Sequence, residues 1–163
     1  MKIITLEPWE YEHACSVGIR RYTANWSKAD AAHYANKSMQ EDNRTAQVAA
    51  AVCELAVAKH CNTYWSGHVW HASDHKKYKH IPDVGKNIEV KRLRTRTTAP
   101  VRRHQLGMGL ILFVAKPIMP ELKEVEIYGY ISYDQAWELG VPSDYDPENT
   151  RLISQQYITE HTE

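Results

Sequence analysis

Three charged residues within nine positions, Asp83, Glu89 and Lys91, have the types and spacing for phosphodiester chemistry. Gly85-Lys86 between Ile81–Val84 and Asn87–Leu93 is a hairpin signal. With the turn there, Val84 faces Ile88 and Asp83 faces Glu89. Like charges set opposite each other destabilise a sheet, so this pair calls for a cation or a basic neighbour. Lys91 lies two residues past Glu89 and shares its face, while Ile88 and Val90 point the other way, towards a core. Two carboxylates and a backbone carbonyl are hard oxygen ligands; they select Mg²⁺ or Mn²⁺ and leave positions for water and a phosphate oxygen. A cation so held lowers the pKa of its water and neutralises charge on a phosphodiester under in-line attack. Lys91 is then placed to orient or deprotonate that water, or to stabilise the pentavalent phosphate. Alternating Glu and Lys also describes an ordinary exposed strand, so the pattern alone leaves both readings open.

The charge distribution favours an anionic partner. The chain has 20 basic and 20 acidic residues, yet Lys76 to Arg103 holds ten bases against two acids, and His104 to Glu163 three against ten. Such a basic segment is either a solvated face or a polyanion surface. In the second case Lys76, Lys77, Arg92, Arg94, Arg96, Arg102 and Arg103 are the candidate phosphate contacts. Trp65, Trp70 and Tyr78 are candidates for stacking on unpaired bases, with plain core packing as the other reading. A rival metal reading uses Cys61, His68, His71, His75 and His80, since Zn²⁺ takes sulfur and nitrogen ligands, but their spacing matches no standard motif. Cys53 or Cys61 with His60 is a weaker nucleophile candidate, because a thiol in an apolar helix stays inert. Three cysteines without CxxC pairing point to reduced thiols.

The elements that must position these groups follow from pattern. Pro8 in a first turn with early acids opens a helix running to Tyr22, with Trp9, Ala14, Val17 and Tyr22 as its apolar positions. Trp26 to Arg44 is polar and reads as short helix plus loop. Ala46 to Ala58, capped by Thr45, is apolar nearly all round, and Gln47 and Glu54 share one stripe of it. Val69–Ala72 reads as a strand before a basic loop from Ser73 to Tyr78. Leu110–Ala115 has the continuous apolar character of a central strand buried on both faces, and Val125–Ile131 alternates as the next strand. Ser132 with Gln135 starts a helix through Leu139, stopped by Gly140. Val141 to Glu163 reads as loop with a short strand near Gln155–Ile158. At 163 residues one domain is expected. No run reaches the roughly 18 to 20 apolar residues of a membrane span, and the first residues lack a long apolar signal core, so a soluble cytoplasmic chain without membrane contact is expected.

Ile81-Pro82-Asp83 followed by Ile88-Glu89-Val90-Lys91 resembles the PD-(D/E)XK signature of the restriction-endonuclease-like nucleases. Glu54 to Lys59 resembles the helix that supplies an additional acid in many members, and Leu110–Ala115 and Val125–Ile131 resemble later core strands. The resemblance spans roughly Thr45 to Gly140 and is similar, more narrowly, to small phage proteins of that superfamily. It implies an α/β restriction-endonuclease-like core with a mixed central sheet of about four to five strands flanked by helices. Residues 1–44 would be an N-terminal helical extension, 45–140 the nuclease-like core and 141–163 a C-terminal tail. It further implies Mg²⁺ or Mn²⁺ held by Asp83, Glu89 and Glu54, with Lys91 as the catalytic lysine and Glu54 as the auxiliary acid. Gln47 is expected in the same cavity. The partner would be nucleic acid, with DNA expected, cut by a chain that pairs as a homodimer in a bacterial host's cytoplasm if phage-encoded. The alternative on the same fold is a non-catalytic nucleic-acid-binding module or a phage–host interaction protein.

Overall fold

A computed structural model of the chain describes residues 1–25 and 42–163. The polar stretch that begins at Trp26 therefore lies, up to residue 41, outside the described residues. Strand β1 (Lys2–Thr5) leads into helix α1 (Pro8–Ala24), and α2 (Asn43–His60) follows. A loop with the one-turn helix α3 (His75–Tyr78) reaches β2 (Ile88–Arg92), then β3 (Thr98–Arg102), β4 (Ile111–Pro117) and β5 (Glu124–Ser132). Helix α4 (Tyr133–Leu139), strands β6 (Val141–Pro142) and β7 (Thr150–Ser154), and helix α5 (Gln155–Thr162) complete the described chain. The architecture is α/β: a mixed four-stranded sheet in the order β1-β5-β4-β2 and an antiparallel three-stranded sheet in the order β3-β7-β6. Within the larger sheet only β2 and β4 run parallel, because the chain crosses through β3 of the smaller sheet between them.

The continuous apolar run forms β4, which divides two cores. Phe113 and Ala115 face the core under α2, with Val52, Leu55, Ile88 and Ile127. Leu112 and Val114 face the opposite core, with Tyr133, Trp137, Ile153 and Ile158. A strand buried on both faces has no wet side to alternate with, hence its unbroken hydrophobicity. The alanine-rich face of α2 lets α1 approach closely. A Cβ on Gly18 would stand 2.5 Å from the Val48 Cα, so any side chain there drives the helices apart. Lys59 Nζ also reaches Glu10 at 2.8 Å, tying the last turn of α2 to the first turn of α1.

Several sequence expectations need correction. The hairpin survives only as a bridge: Val84 pairs with Ile88 in the register predicted, but Ile81–Asp83 is not a strand. Asp42, not Thr45, caps α2, its side chain accepting from the Thr45 N–H at 2.7 Å, because the helix starts at Asn43. Trp9 is 66% exposed and Glu10 is buried instead, held by a capping box with Glu7. Val69–Ala72 is not a strand, and the basic stretch after it is partly the α3 turn. The N-terminal segment is not purely helical, since β1 pairs with β5 at the sheet edge. Val141–Glu163 is not mostly loop: Thr150–Ser154 is the central strand of the second sheet, and α5 covers β5. At that contact a Cβ on Gly129 would stand 2.2 Å from Thr162 Oγ1.

Candidate functional site around Asp83, Glu89 and Lys91

Strand β2 is the edge of its sheet, and that position explains how Asp83 is fixed. Parallel pairing with β4 uses the backbone groups on one side of β2, so the N–H groups of Ile88 and Val90 point to the free edge. The first closes the bridge with Val84, at 3.1 Å. The second is accepted by Asp83 Oδ2 at 2.8 Å. One carboxylate oxygen thus satisfies a strand-edge donor that would otherwise need water. The charge of Asp83, held there, acts on Glu89.

Glu89 and Lys91 leave β2 on the face shared by Leu112 and Val114. Glu89 is only 6% exposed, and Lys91 Nζ stands 3.9 Å from its Oε2. Burial first, and then the Asp83 charge, push the Glu89 carboxyl up to about 7. Lys91, a Gln105 side-chain hydrogen bond and the Asp83 backbone N–H oppose that rise without cancelling it. Gln105 is oriented by a chain of fixed polarity. The Arg102 N–H donates to the Tyr133 hydroxyl at 2.7 Å, and that hydroxyl donates to Gln105 Oε1 at 2.6 Å. The Gln105 amide nitrogen is therefore the donor that remains for Glu89. Burial pushes Tyr133 up to about 12, which keeps the hydroxyl protonated and the chain intact.

Glu54 stands on the other side of Asp83. It projects from α2, below the face that Ile88 and Val90 cover. Arg21 of α1 grips it through both guanidinium nitrogens, and the Trp65 Nε1–H donates to Oε1 at 3.5 Å. Arg21 Nε also donates to the His68 carbonyl at 3.0 Å, holding the loop after α2 over the pair. Burial and then Asp83 push Glu54 up to about 7 as well, against the Arg21 charge. Glu89 and Lys91 share one face of β2 as the sequence spacing predicts, while Asp83 acts on Glu89 from the turn before β2 and not from a facing strand. Glu54 reaches the same neighbourhood through Asp83, with its oxygens occupied by Arg21 and Trp65.

The basic residues divide by role. His104 is held below the usual imidazole range by partial burial and by the surrounding charges of Lys79, Lys91, Arg102 and His75. Lys79, Lys91, Arg102 and His75 thus form a cationic rim around His104, which itself stays neutral at pH 7, and Lys91 joins that rim to Glu89. Arg102 donates Nη1–H to Thr150 Oγ1 at 2.6 Å. Arg103 is exposed but held along the surface, with Nε donating to the Glu148 carbonyl at 2.8 Å and its guanidinium 4.9 Å from the Trp137 ring. Arg94 lines a separate open cleft of about 660 Å³ with Asp42, Lys116 and Glu126, which contains none of the carboxylates above. Arg92 is half-buried at the end of β2, and Arg96, Lys76 and Lys77 are exposed, Lys77 lying 5.2 Å from the Tyr78 ring centre. The arginines therefore do not form one arm.

Asp83 also borders a cleft of about 200 Å³ with Arg21, Asn25, Gln47, His68, Trp70 and His75. The placement of Gln47 follows the shared stripe with Glu54. Trp65 is core, whereas Trp70 stacks on His68 with ring centres 4.5 Å apart and Tyr78 5.8 Å away. Sequence reasoning missed Arg21, Gln105, Tyr133, Lys79 and His104. Only the basic segment hinted at Lys79; the others come from elements distant in the chain, and no local pattern marks them.

Among the described residues no three His, Cys, Asp or Glu side chains are grouped closely enough to hold a metal by themselves. The zinc reading of Cys61 and the four histidines is not supported by such a group: His68 Nδ1 instead meets Ser66 Oγ at 3.0 Å and His71 Nδ1 meets Ser73 Oγ at 2.8 Å. Burial raises the Cys53 and Cys61 thiols, which leaves them poor nucleophiles. The expected metal set of Asp83, Glu89 and Glu54 is not such a group either, since Arg21 and Trp65 occupy the Glu54 oxygens and only Asp83 and Glu89 remain as hard oxygen donors. No helix of the described residues is long and apolar enough to cross a membrane. The chain matches no family model, no curated protein and no solved structure.

Proposed function

We propose that the chain is a Mg²⁺- or Mn²⁺-dependent nuclease, with DNA as the expected polymer, on a restriction-endonuclease-like arrangement of β2 and its neighbours. The observation that carries this reading is the Glu89 environment. A buried carboxylate, raised first by that burial and then by Asp83, has a lysine nitrogen 3.9 Å away that belongs to the cationic rim. A module that only bound nucleic acid would gain nothing from two carboxylates at the centre of its basic surface, since they repel phosphate.

In this reading Asp83 and Glu89 would hold the ion, which would supply water of lowered pKa and charge neutralisation at phosphorus. Lys91, fixed on the Glu89 face of β2, stabilises the charge that builds on the attacked phosphate. Lys79, Arg102 and His104 hold the flanking phosphates, in the sequence-independent manner of backbone contacts. Gln105 orients Glu89, and Arg21 with Glu54 braces the helix pair behind Asp83. Incubation with labelled single-stranded, duplex and junction DNA in Mg²⁺, Mn²⁺ or EDTA tests the reading. Cleavage is expected with either metal, none in EDTA, and none from Asp83→Asn or Glu89→Gln. Cleavage that survives both substitutions sinks it.

A further inference from the structure

The cleft on the far side of Asp83 shares that residue with the proposed metal site, but the rest of its lining has no part in it. Its lining is unlike the cationic rim: two amides, Asn25 and Gln47, the imidazoles of His68 and His75, the Trp70 indole, and the Arg21 guanidinium that is already bonded to Glu54. Flat rings and amides are the groups that recognise a nucleobase, by stacking on its face and by hydrogen bonds to its edge. At about 200 Å³ the cleft is smaller than the roughly 300 to 1,000 Å³ of a drug-sized pocket, with room for one ring system and not a base pair. Within a duplex the two faces of a base are covered by its neighbours, so only an unpaired or extruded base can present a face to a ring platform.

The platform is built before any ligand arrives. His68 and Trp70 are parallel to within 6°, with Tyr78 tilted against the indole, and Arg21 Nε pins the His68 carbonyl. Burial and the Arg21 charge hold His68 below its ordinary pKa, against the pull of Asp83. Asp83 and His75 belong both to this cleft and to the surroundings of Glu89 and the rim. A strand whose phosphate rests at Asp83 and Glu89 therefore has its adjoining nucleoside beside the platform.

We infer that this cleft takes the unpaired base next to the scissile phosphate, and that the substrate is single-stranded nucleic acid or a single-stranded end. This inference rests on the nuclease reading for its orientation, and the test separates the two. Fluorescence anisotropy of a labelled short oligothymidylate and of a blunt duplex of equal length, in EDTA, reads binding without cleavage. The single strand is expected to bind at least about tenfold more tightly than the duplex, and Trp70→Leu to lose about tenfold on the single strand alone. Trp70→Phe is expected to restore most of the affinity, because a ring remains. Gln47→Ala, a half-exposed position that tolerates truncation, gives a second, smaller loss should Trp70→Leu fold poorly. Equal affinity for both polymers, or affinity unchanged in Trp70→Leu and Gln47→Ala, overturns the inference. Cleavage by the same proteins in Mg²⁺ distinguishes the failures. Duplex cutting without single-strand preference removes the cleft assignment and leaves the nuclease. Strong Trp70-dependent single-strand binding without cleavage in any metal removes the nuclease and leaves the cleft.

Discussion

Two buried glutamates flank Asp83, and both are pushed up to about 7 by burial and by the aspartate between them. Their partners differ. Glu54 has a guanidinium on both oxygens and an indole N–H besides, all supplied by the protein and all fixed. Glu89 has two uncharged donors, the Gln105 amide and the Asp83 backbone N–H, and a lysine whose nitrogen stays 3.9 Å off. A carboxylate with a permanent, bidentate counterion is a structural joint, here between α1, α2 and the loop at His68. In the proposed reading, a carboxylate left with incomplete compensation would accept a cation, with Asp83 as the second ligand. Two residues of the same type and burial are thus assigned opposite roles by their neighbours.

The sharpest way to break this contrast is to remove each charge in turn. Glu89→Gln and Asp83→Asn are expected to reduce metal-dependent cleavage to background while preserving the fold, and Lys91→Ala to cost about 10²- to 10⁴-fold in rate. Glu54→Gln should leave measurable cleavage, because its oxygens face Arg21. Equal loss from Glu54→Gln and Glu89→Gln, at equal stability, abolishes the distinction. Arg21→Met acts on stability instead. It leaves Glu54 buried without its partner, a loss of about 3 to 5 kcal/mol, and lowers the melting temperature by about 10 °C. The double substitution Arg21→Met/Glu54→Leu should recover most of that loss, since no orphaned charge remains. Calorimetry of the three proteins checks it.

How much of this was legible in the sequence varies with the range of the interaction. Spacing along one strand is local, so the face shared by Glu89 and Lys91, and the Val84–Ile88 register, could be read directly. The run of β4 and the Ser132 cap were equally plain, the cap accepting from the Gln135 N–H at 3.5 Å. The pairing of Asp83 with a backbone N–H instead of with an opposing strand was not legible. It depends on β2 being an edge, which is settled by the crossover through the second sheet. Arg21 was invisible for a similar reason: 33 positions separate it from Glu54, and only the helix approach at Gly18 brings them together. The C-terminal residues were misread because β7 and α5 are half-polar on their own and acquire an apolar face only against β3 and β5.

A gentler measurement tests both glutamates at once. An acid whose folded pKa lies above its unfolded value binds its proton more tightly in the native state. The stability this contributes is full below about 4.5, where both states are protonated, and is lost as pH rises towards 7. The metal-free protein should therefore be less stable to urea at pH 8 than at pH 5, by at most roughly 3 kcal/mol per glutamate. Glu89→Gln should flatten part of that slope, and saturating Mg²⁺ should flatten it too, because the ion binds the charged form. A slope unchanged by either places Glu89 outside any metal site.

The smallest effect is the most specific. Gln105→Leu removes the donor that favours ionised Glu89 and strands the Tyr133 hydroxyl, while leaving every proposed ligand in place. The acid limb of the cleavage profile should move to higher pH, and Mg²⁺ affinity should fall about 10- to 100-fold, the usual cost of losing an outer-shell partner. Gln105→Glu should do the same more severely, since a second negative charge beside Glu89 raises its pKa further. A purely structural role for Gln105 predicts a lower melting temperature with the pH profile unmoved. Only a residue that acts through the Glu89 carboxylate displaces the profile itself, and that displacement would show that Glu89 must lose its proton before the ion can bind.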